Sequence, residues 1–281
     1  MIQLGIVGHP IGHSKSPRMH EAALAVAGMN GQYIPYDVTP DALSAWLQKQ
    51  RGAGMRGFNV TVPHKVTMAE YCDRLDESAA AVGAVNTVLI RGDGTVVGFN
   101  TDVSGFASDL VDTAQFDPKD SVALVLGTGG AAAAVVVALR QAGASTIVVT
   151  NRTAEKARSF SERMDVKSLP FDPQSLRSIQ PDLVVNATSC GLAVGPEDEQ
   201  WGACLHFFEK LPVDAWNKPI AYDLIYAPQK TAFLTHFSQA GCAIHHGLGM
   251  LVRQGALAFQ LWTGVPVSRV QAPMGEAISP Q

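Results

Sequence analysis

The chain has 281 residues, a formal net charge of −4 and 47% hydrophobic residues. This length exceeds that of one usual domain, so we expect two domains with substantial cores. No block of Lys and Arg is present, which argues against nucleic acid or an anionic membrane as a partner. The four cysteines are scattered without a C-x-x-C pair, and Met1 leads directly into an apolar strand. We therefore expect a reduced, cytoplasmic protein without a signal peptide.

The first hundred residues alternate between short apolar runs and helical segments, which predicts an α/β unit. Asn59 and Thr61 are two residues apart in the third strand, so their side chains should emerge on one face. Lys65 follows that strand, at the sheet edge where ligands bind in open α/β folds. Residues 9–17 are too rich in Pro, Gly and Ser to be regular. Strands are predicted at residues 4–7, 33–38 and 57–62, and helices at residues 19–27 and 40–50.

An Asp-Gly pair at residues 93–94 predicts a β-hairpin of residues 85–90 and 96–100. Counting outward from the turn brings Asn86 and Asp102 to the same open end of the hairpin. An alternative role for Asp102 is the N-cap of a helix at residues 105–113, and the two roles are compatible.

A second unit begins with residues 121–153, which read as strand, glycine turn, helix and strand. Both strands are apolar on both faces, as in buried parallel sheets. The turn and Ala132 form a G-x-G-x-x-A pattern, whose glycines let backbone N–H groups approach a pyrophosphate at the helix start. The uncharged run 121–139 is nearly long enough to span a bilayer, but its glycines and the strand after it favour a dinucleotide site.

The end of the second strand indicates which dinucleotide binds. NAD sites usually place an acid there for the ribose 2′-hydroxyl. This chain has Asn151, Arg152 and Thr153, with Lys156 one turn later, so cations stand where a 2′-phosphate would lie. We predict NADP rather than NAD; the alternative is an ordinary helix start with surface cations.

Two further strands, at residues 183–189 and 221–226, and a helix at residues 231–240 complete this unit. A long amphipathic helix follows at residues 247–262. Gly247, Met250, Gln254 and Ala258 share one line of it, so Met250 and Gln254 can face one cleft. A buried Met is more often a core residue than a contact residue, so the pattern alone leaves both roles open for Met250.

Taken in order, these motifs resemble the shikimate dehydrogenase family over nearly the whole chain. Residues 10–17 (PIGHSKSP), 59–65 (NVTVPHK), 83–87 (GAVNT) and 98–102 (GFNTD) resemble the substrate domain of that family. Residues 127–131, 151–153, 186–189 and 222–226 resemble the NADP domain, and residues 247–254 resemble the closing helix.

The resemblance implies a two-domain α/β protein with a discontinuous first domain. Residues 1–103 would form the substrate-binding and catalytic domain, and residues 104–240 an inserted Rossmann NADP-binding domain. Residues 241–281 would supply helices that pack back on the substrate domain. The implied activity is reversible hydride transfer between NADPH and 3-dehydroshikimate, giving shikimate for chorismate and aromatic amino-acid biosynthesis. The implied state is a monomer or homodimer.

The resemblance also implies the roles of individual residues. Lys65 would be the acid/base and Asp102 its partner. Apart from the resemblance, His13 and His64 are the alternative acid/base candidates on chemical grounds. Substrate would be held by Ser14, Ser16, Asn59, Thr61, Lys65, Asn86, Asp102, Tyr226 and Gln254. The cofactor would be held by Gly127, Gly129, Gly130, Ala131, Asn151, Arg152, Thr153, Lys156, Thr188, Leu224, Gly247 and Met250.

Several positions depart from the family pattern and bear on the substrate. They leave open whether the enzyme uses only shikimate or also accepts quinate. A non-catalytic NADP-binding regulator on the same fold is the alternative that is not an enzyme. We expect no metal, because His245 and His246 are adjacent and lack a carboxylate companion at ligand spacing. The departures are Glu21, Thr128, Lys156, Leu224 and His246.

Overall fold

The computed structural model describes residues 1–12, 14–191 and 199–279, without the side chains of residues 199–201, 203 and 204. His13 and the Cys204 side chain therefore lie outside the described residues. The chain divides into two compact units: unit 1 comprises Met1–Phe106 and Leu251–Gln281, and unit 2 comprises Ala107–Met250.

Twelve strands and twelve α-helices are present in the described part of the chain. The strands are β1 Ile2–Gly8, β2 Gly31–Asp37, β3 Gly57–Val60, β4 Arg74–Leu75, β5 Thr87–Ile90, β6 Val96–Phe99, β7 Val122–Leu126, β8 Thr146–Thr150, β9 Lys167–Ser168, β10 Leu183–Asn186, β11 Ile220–Asp223 and β12 Ile244–His246. The helices are α1 Ser16–Ala27, α2 Leu43–Gly52, α3 Lys65–Tyr71, α4 Glu77–Val82, α5 Thr101–Asp112, α6 Gly130–Gln141, α7 Ala154–Met164, α8 Pro173–Leu176, α9 Glu199–Glu209, α10 Ala232–Gln239, α11 Leu248–Thr263 and α12 Val267–Ile278.

Unit 1 is built on a mixed six-stranded sheet in the order β2-β1-β3-β5-β6-β4. β1 pairs in parallel with β2 and β3, whereas β5 is antiparallel to β3 and β6. Apolar side chains of β3, β5 and β6, such as Phe58, Val88 and Val96, are fully buried in one core. The predicted hairpin of residues 85–100 is therefore confirmed as β5–β6.

Unit 2 is built on an all-parallel sheet in the order β12-β11-β10-β7-β8-β9. Strands β7 and β8 are apolar on both faces because helices cover parallel sheets on both sides. Helix α6 has eight consecutive buried residues, 132–139, as its alanine- and valine-rich sequence requires. The two sheets confirm the predicted α/β class with a Rossmann-type unit.

Three local predictions differ from the structure. The sequence places residues 241–250 with the closing helices, but β12 pairs with β11 and this segment lies in unit 2. A three-residue strand ending in two histidines carries too little apolar pattern to be recognised. Helix α5 begins at Thr101, so Asp102 lies in its first turn and is not an N-cap. β3 ends at Val60, because a turn follows in which His64 N–H donates to Thr61 O.

Trp262 fixes α11 to the sheet of unit 1. Its side chain is 2% exposed, and Nε1 donates a 2.8 Å hydrogen bond to Val88 O. A Cβ at Gly57 would lie only 2.2 Å from Trp262 Nε1, so glycine is required for this approach. Among the described residues, no helix combines the length and the apolar character that a membrane span requires.

Asp223, the last residue of β11, is a fully buried carboxylate. Burial raises its pKa from 3.8 to about 6, against hydrogen bonds from Thr231, Ile225 and Asn186 that lower it. Between these two values native Asp223 holds a proton that the unfolded chain has released. Its contribution to stability is therefore present below pH 3.8 and is lost as pH rises through about 6.

This shift predicts the pH dependence of stability. From about pH 4 to about pH 7, the wild type should lose roughly 3 kcal/mol of unfolding free energy relative to Asp223→Asn, which has no carboxyl group to titrate. Denaturant unfolding of both proteins across that range measures the difference. Asp172→Asn is the control, because a hydrogen bond from Ser175 lowers the pKa of Asp172 and its pH slope has the opposite sign. Parallel wild-type and Asp223→Asn curves would contradict the prediction.

Candidate functional site

A cluster of polar side chains lies where the central strands of unit 1 end. Lys65 is the first residue of α3, just after the turn that ends β3. Asn86 immediately precedes β5, and Asp102 lies in the first turn of α5. The hairpin and the helix starts thus bring together side chains from three separate segments of the chain.

Lys65 and Asp102 form the centre of this cluster. Lys65 Nζ donates to Asp102 Oδ2 at 2.6 Å, and the two side chains are 18% and 8% exposed. Asn86 Nδ2 donates to the other carboxylate oxygen at 2.8 Å and to Gln254 Oε1 at 3.3 Å. Pairing and hydrogen bonding are what make two largely buried charges tolerable. Both oxygens of Asp102 have donors.

Asn59 is held by three internal hydrogen bonds. Its Nδ2 donates to Asn86 O at 3.2 Å and to Thr87 Oγ1 at 3.0 Å, and its Oδ1 accepts from the Tyr33 hydroxyl at 2.7 Å. Burial raises the pKa of Tyr33, so its hydroxyl remains a donor. Both amide protons of Asn59 are engaged, so it can offer a ligand only an oxygen acceptor.

The remaining predicted residues of unit 1 take different positions. Ser16 starts α1, is buried, and its N–H donates to Ser14 Oγ at 3.2 Å. Thr61 lies just beyond β3 and is half-buried. His64 is 1% exposed with Nε2 2.7 Å from Val38 O, so its ring points into the core. His13, the other alternative to Lys65, lies outside the described residues, and Tyr226 belongs to unit 2.

The glycine turn after β7 suits a phosphate group. Gly127 has φ +110°, a conformation that favours glycine, and a Cβ there would lie 3.0 Å from Ala187 O. A Cβ at Gly129 would meet nothing within 4 Å. Helix α6 starts at Gly130 with no acidic residue in its first turn and no side-chain cap. Its amide N–H groups and dipole therefore remain available to an anion.

A cavity of about 530 Å³ lies beside this turn, along one face of α7. Arg152 and Lys156 are both exposed at the start of α7, and Lys156 lines the cavity. The guanidinium of Arg163 lies 5.2 Å from the centre of the Phe160 ring. Sequence reasoning missed Ser159, Phe160 and Arg163, although their spacing from Lys156 is helical. The lining consists of Thr128, Thr153, Glu155, Lys156, Ser159, Phe160 and Arg163.

The other predicted cofactor residues follow the ends of β10, β11 and β12. Thr188 and Leu224 are half-buried, and Met250 is 7% exposed. A Cβ at Gly247 would lie 2.1 Å from Leu224 O, so only glycine fits there. Across the described residues, no three His, Cys, Asp or Glu side chains are grouped to hold a metal ion.

Three family models match the chain. The shikimate dehydrogenase substrate binding domain matches residues 6–88, shikimate / quinate 5-dehydrogenase matches residues 109–198, and the shikimate 5'-dehydrogenase C-terminal domain matches residues 247–272.

Relatives and solved structures match over almost the full length. Shikimate dehydrogenase (NADP(+)) of Moorella thermoacetica is 41% identical, covering 98% of this chain and 93% of the relative. The enzyme of the same name from Shouchella clausii is 40% identical over 93% of each chain. Shikimate 5-dehydrogenase of Thermus thermophilus, in complex with NADP(H) and shikimate, is 37% identical with a TM-score of 0.82, covering 99% of this chain and 100% of that chain. The chain belongs to the shikimate dehydrogenase family.

Proposed function

We propose that the protein is an NADP-dependent shikimate dehydrogenase that transfers hydride reversibly between NADPH and 3-dehydroshikimate, giving shikimate. The observation that carries this proposal is the Lys65–Asp102 pair, 2.6 Å apart and bordered by Asn86 and Gln254. The named activity of relatives about 40% identical supports it. A cluster of amides and charged groups suits a cyclic polyol, whose hydroxyls need many hydrogen-bond partners.

Lys65 is the acid/base in this proposal. In ketone reduction its ammonium donates a proton to the oxygen that becomes the hydroxyl, and Asp102 accepts a hydrogen bond from that ammonium. In the oxidation direction the neutral amine of Lys65 takes the hydroxyl proton, and its 18% exposure lets the resulting ammonium release that proton to water. Asp102, fixed on one oxygen by Asn86, orients the ammonium. Bound NADPH supplies the hydride.

The substrate residues divide into two groups by the part of the molecule they hold. Amides, a hydroxyl and the Asp102 carboxylate near Lys65 read the ring hydroxyls. The serines of the loop before α1 and at its start, together with Tyr226, hold the substrate carboxylate. The first group is Asn59, Thr61, Asn86, Asp102 and Gln254. The second group is Ser14, Ser16 and Tyr226.

The cofactor residues lie in unit 2. Gly127, Gly129, Gly130 and Ala131 would hold the pyrophosphate, because this turn leaves amide N–H groups open to an anion. The cations at the start of α7 would bind the 2′-phosphate. The residues proposed to bind the 2′-phosphate are Asn151, Arg152, Thr153 and Lys156. The residues proposed to contact the nicotinamide are Thr188, Leu224, Gly247 and Met250.

We propose further that unit 1 is the substrate domain and unit 2 the NADP domain, in a cytoplasmic enzyme that is a monomer or homodimer. Quinate is a second candidate substrate, because the model matching residues 109–198 is that of shikimate / quinate 5-dehydrogenase.

A matrix of two substrates and two cofactors tests the proposal. Purified protein should oxidise shikimate with NADP⁺ in preference to NAD⁺, and activity with quinate would define the substrate range. Absence of hydride transfer in all four combinations would refute the enzymatic function and favour a non-catalytic NADP-binding regulator.

Lys65→Met should lower kcat by about 10²–10⁴-fold and change KM far less, since general acid–base catalysis acts on the transition state. The substitution keeps most of the aliphatic stem. Lys49→Met, on the exposed face of α2, is the matched control and should leave kcat unchanged. If Lys65→Met keeps kcat while His64→Ala loses it, the acid/base assignment to Lys65 is wrong.

Arg152→Ala should weaken NADP⁺ binding by about ten- to a hundredfold and leave NAD⁺ binding nearly unchanged, because only NADP⁺ carries the 2′-phosphate. Calorimetric titration of the protein with each cofactor measures both constants. Arg158→Ala, on α7 but outside the lining of the cavity, should bind both cofactors normally. Equal losses for the two cofactors would show that Arg152 binds another group.

A further inference from the structure

Asn186 and Asp223 occupy equivalent positions in unit 2. They are the last residues of the neighbouring parallel strands β10 and β11 and are paired in register. Both are 0% exposed, and Asn186 Nδ2 donates to Asp223 Oδ1 at 3.0 Å. Burying a carboxylate without a cation is costly, so its retention calls for a role that an apolar residue could not fill.

Asn186 shapes the segment that follows β10. Its Oδ1 accepts from Thr188 N–H at 3.1 Å and from the Thr188 hydroxyl at 2.7 Å. The Thr188 Oγ1 in turn accepts from Cys190 N–H at 3.1 Å. One amide oxygen thereby fixes the turn of residues 187–190 and the direction of the Thr188 side chain.

Asp223 shapes the segment that follows β11 in the same way. Its Oδ1 also accepts from Ile225 N–H at 3.0 Å, and its Oδ2 accepts from the Thr231 hydroxyl at 2.6 Å. Thr231 is the N-cap of α10, where its Oγ1 accepts from Leu234 N–H. The carboxylate therefore closes the loop of residues 224–230 at both ends.

Backbone hydrogen bonds connect the two segments and a third one. Leu224 N–H donates to Asn186 O at 3.0 Å, and Gly247 N–H donates to Ile225 O at 3.1 Å. Thr188, Leu224 and Gly247 are thus all connected to the same buried pair through one or a few hydrogen bonds. Both oxygens of the Asp223 carboxylate are used in this arrangement.

We propose that the Asn186–Asp223 pair, with Thr231, positions the segments that contact the nicotinamide half of the cofactor. This inference rests on the proposed function, which assigns Thr188, Leu224 and Gly247 to that part of NADP. Asp223 is a positioning residue, because it acts through these segments and not on the substrate. Affinity for the cofactor comes mainly from the phosphates, whereas placement of the nicotinamide sets the distance for hydride transfer.

Asp223→Ala should therefore lower kcat by about ten- to a hundredfold, the loss expected when reacting atoms are displaced by about 1 Å. The dissociation constant of NADP⁺ and the KM for shikimate should change by less than about threefold, because their binding groups remain in place. The primary deuterium isotope effect with 4-deuterated NADPH should increase, since hydride transfer becomes slower than product release.

The threonine gives a second, milder test. Thr231→Val removes the hydroxyl and should lower kcat in the same direction, and Thr231→Ser should restore it. Asp214→Asn, an exposed Asp-to-Asn change in the same unit, is the control and should behave as wild type. If Asp223→Ala does not fold, the comparison of Thr231→Val with Thr231→Ser tests the proposal instead. A folded Asp223→Ala or Thr231→Val protein with wild-type kcat and isotope effect would overturn the proposal.

Amide hydrogen exchange tests the positioning without any cofactor or activity. In cofactor-free protein, the Ile225, Thr188 and Cys190 amides should exchange faster in Asp223→Ala than in wild type, while the α6 amides remain protected. Unchanged exchange at all three amides would overturn the inference even in an active enzyme. If these amides exchange faster in Asp223→Ala but the wild type itself transfers no hydride, the proposed function is refuted and the structural role of the pair stands.

Discussion

The ion pair between Lys65 and Asp102 is the interaction around which unit 1 is arranged. Two charges that are largely removed from water are stable only together, and removal of one partner from a buried pair typically costs about 3–5 kcal/mol. The pair therefore has to be supported on both sides. Asn86 supplies the second donor to Asp102, and the start of α3 directs Lys65 toward it. The register of the β5–β6 hairpin, which precedes α5, brings Asn86 within hydrogen-bond distance of Asp102.

Much of this arrangement follows from local sequence signals. Apolar runs of strand length, the glycine turn at residue 127 and the alanine-rich helix predict the unit 2 sheet, because helix and strand periods are local properties. The position of Asn86 beside Asp102 follows from counting outward from the Asp-Gly turn, since hairpin register is set by the turn. The residues proposed for the cofactor 2′-phosphate follow from the end of β8.

The remainder depends on contacts between residues far apart in the chain. Nothing local marks Tyr33 as the donor to Asn59, because 26 residues separate them and the bond exists only after the sheet forms. The same holds for Asp223, which reads as the ordinary end of a strand until its bonds to Asn186 and Thr231 are known. Strand β12 escapes sequence analysis because three residues carry too little periodic signal, and that error displaces the predicted boundary.

The contact of Trp262 with Gly57 and Val88 has a consequence for how the chain folds. Trp262 and Val88 are 174 residues apart, and closing a disordered loop of that length costs about 4–5 kcal/mol of chain entropy. Unit 2 lies within this loop as one continuous stretch, so it can fold from its own contacts and shorten the loop before α11 docks. During synthesis α11 also emerges after both strands it must meet. The packing of α11 on the sheet of unit 1 is therefore completed last, although the strands of that sheet are made first.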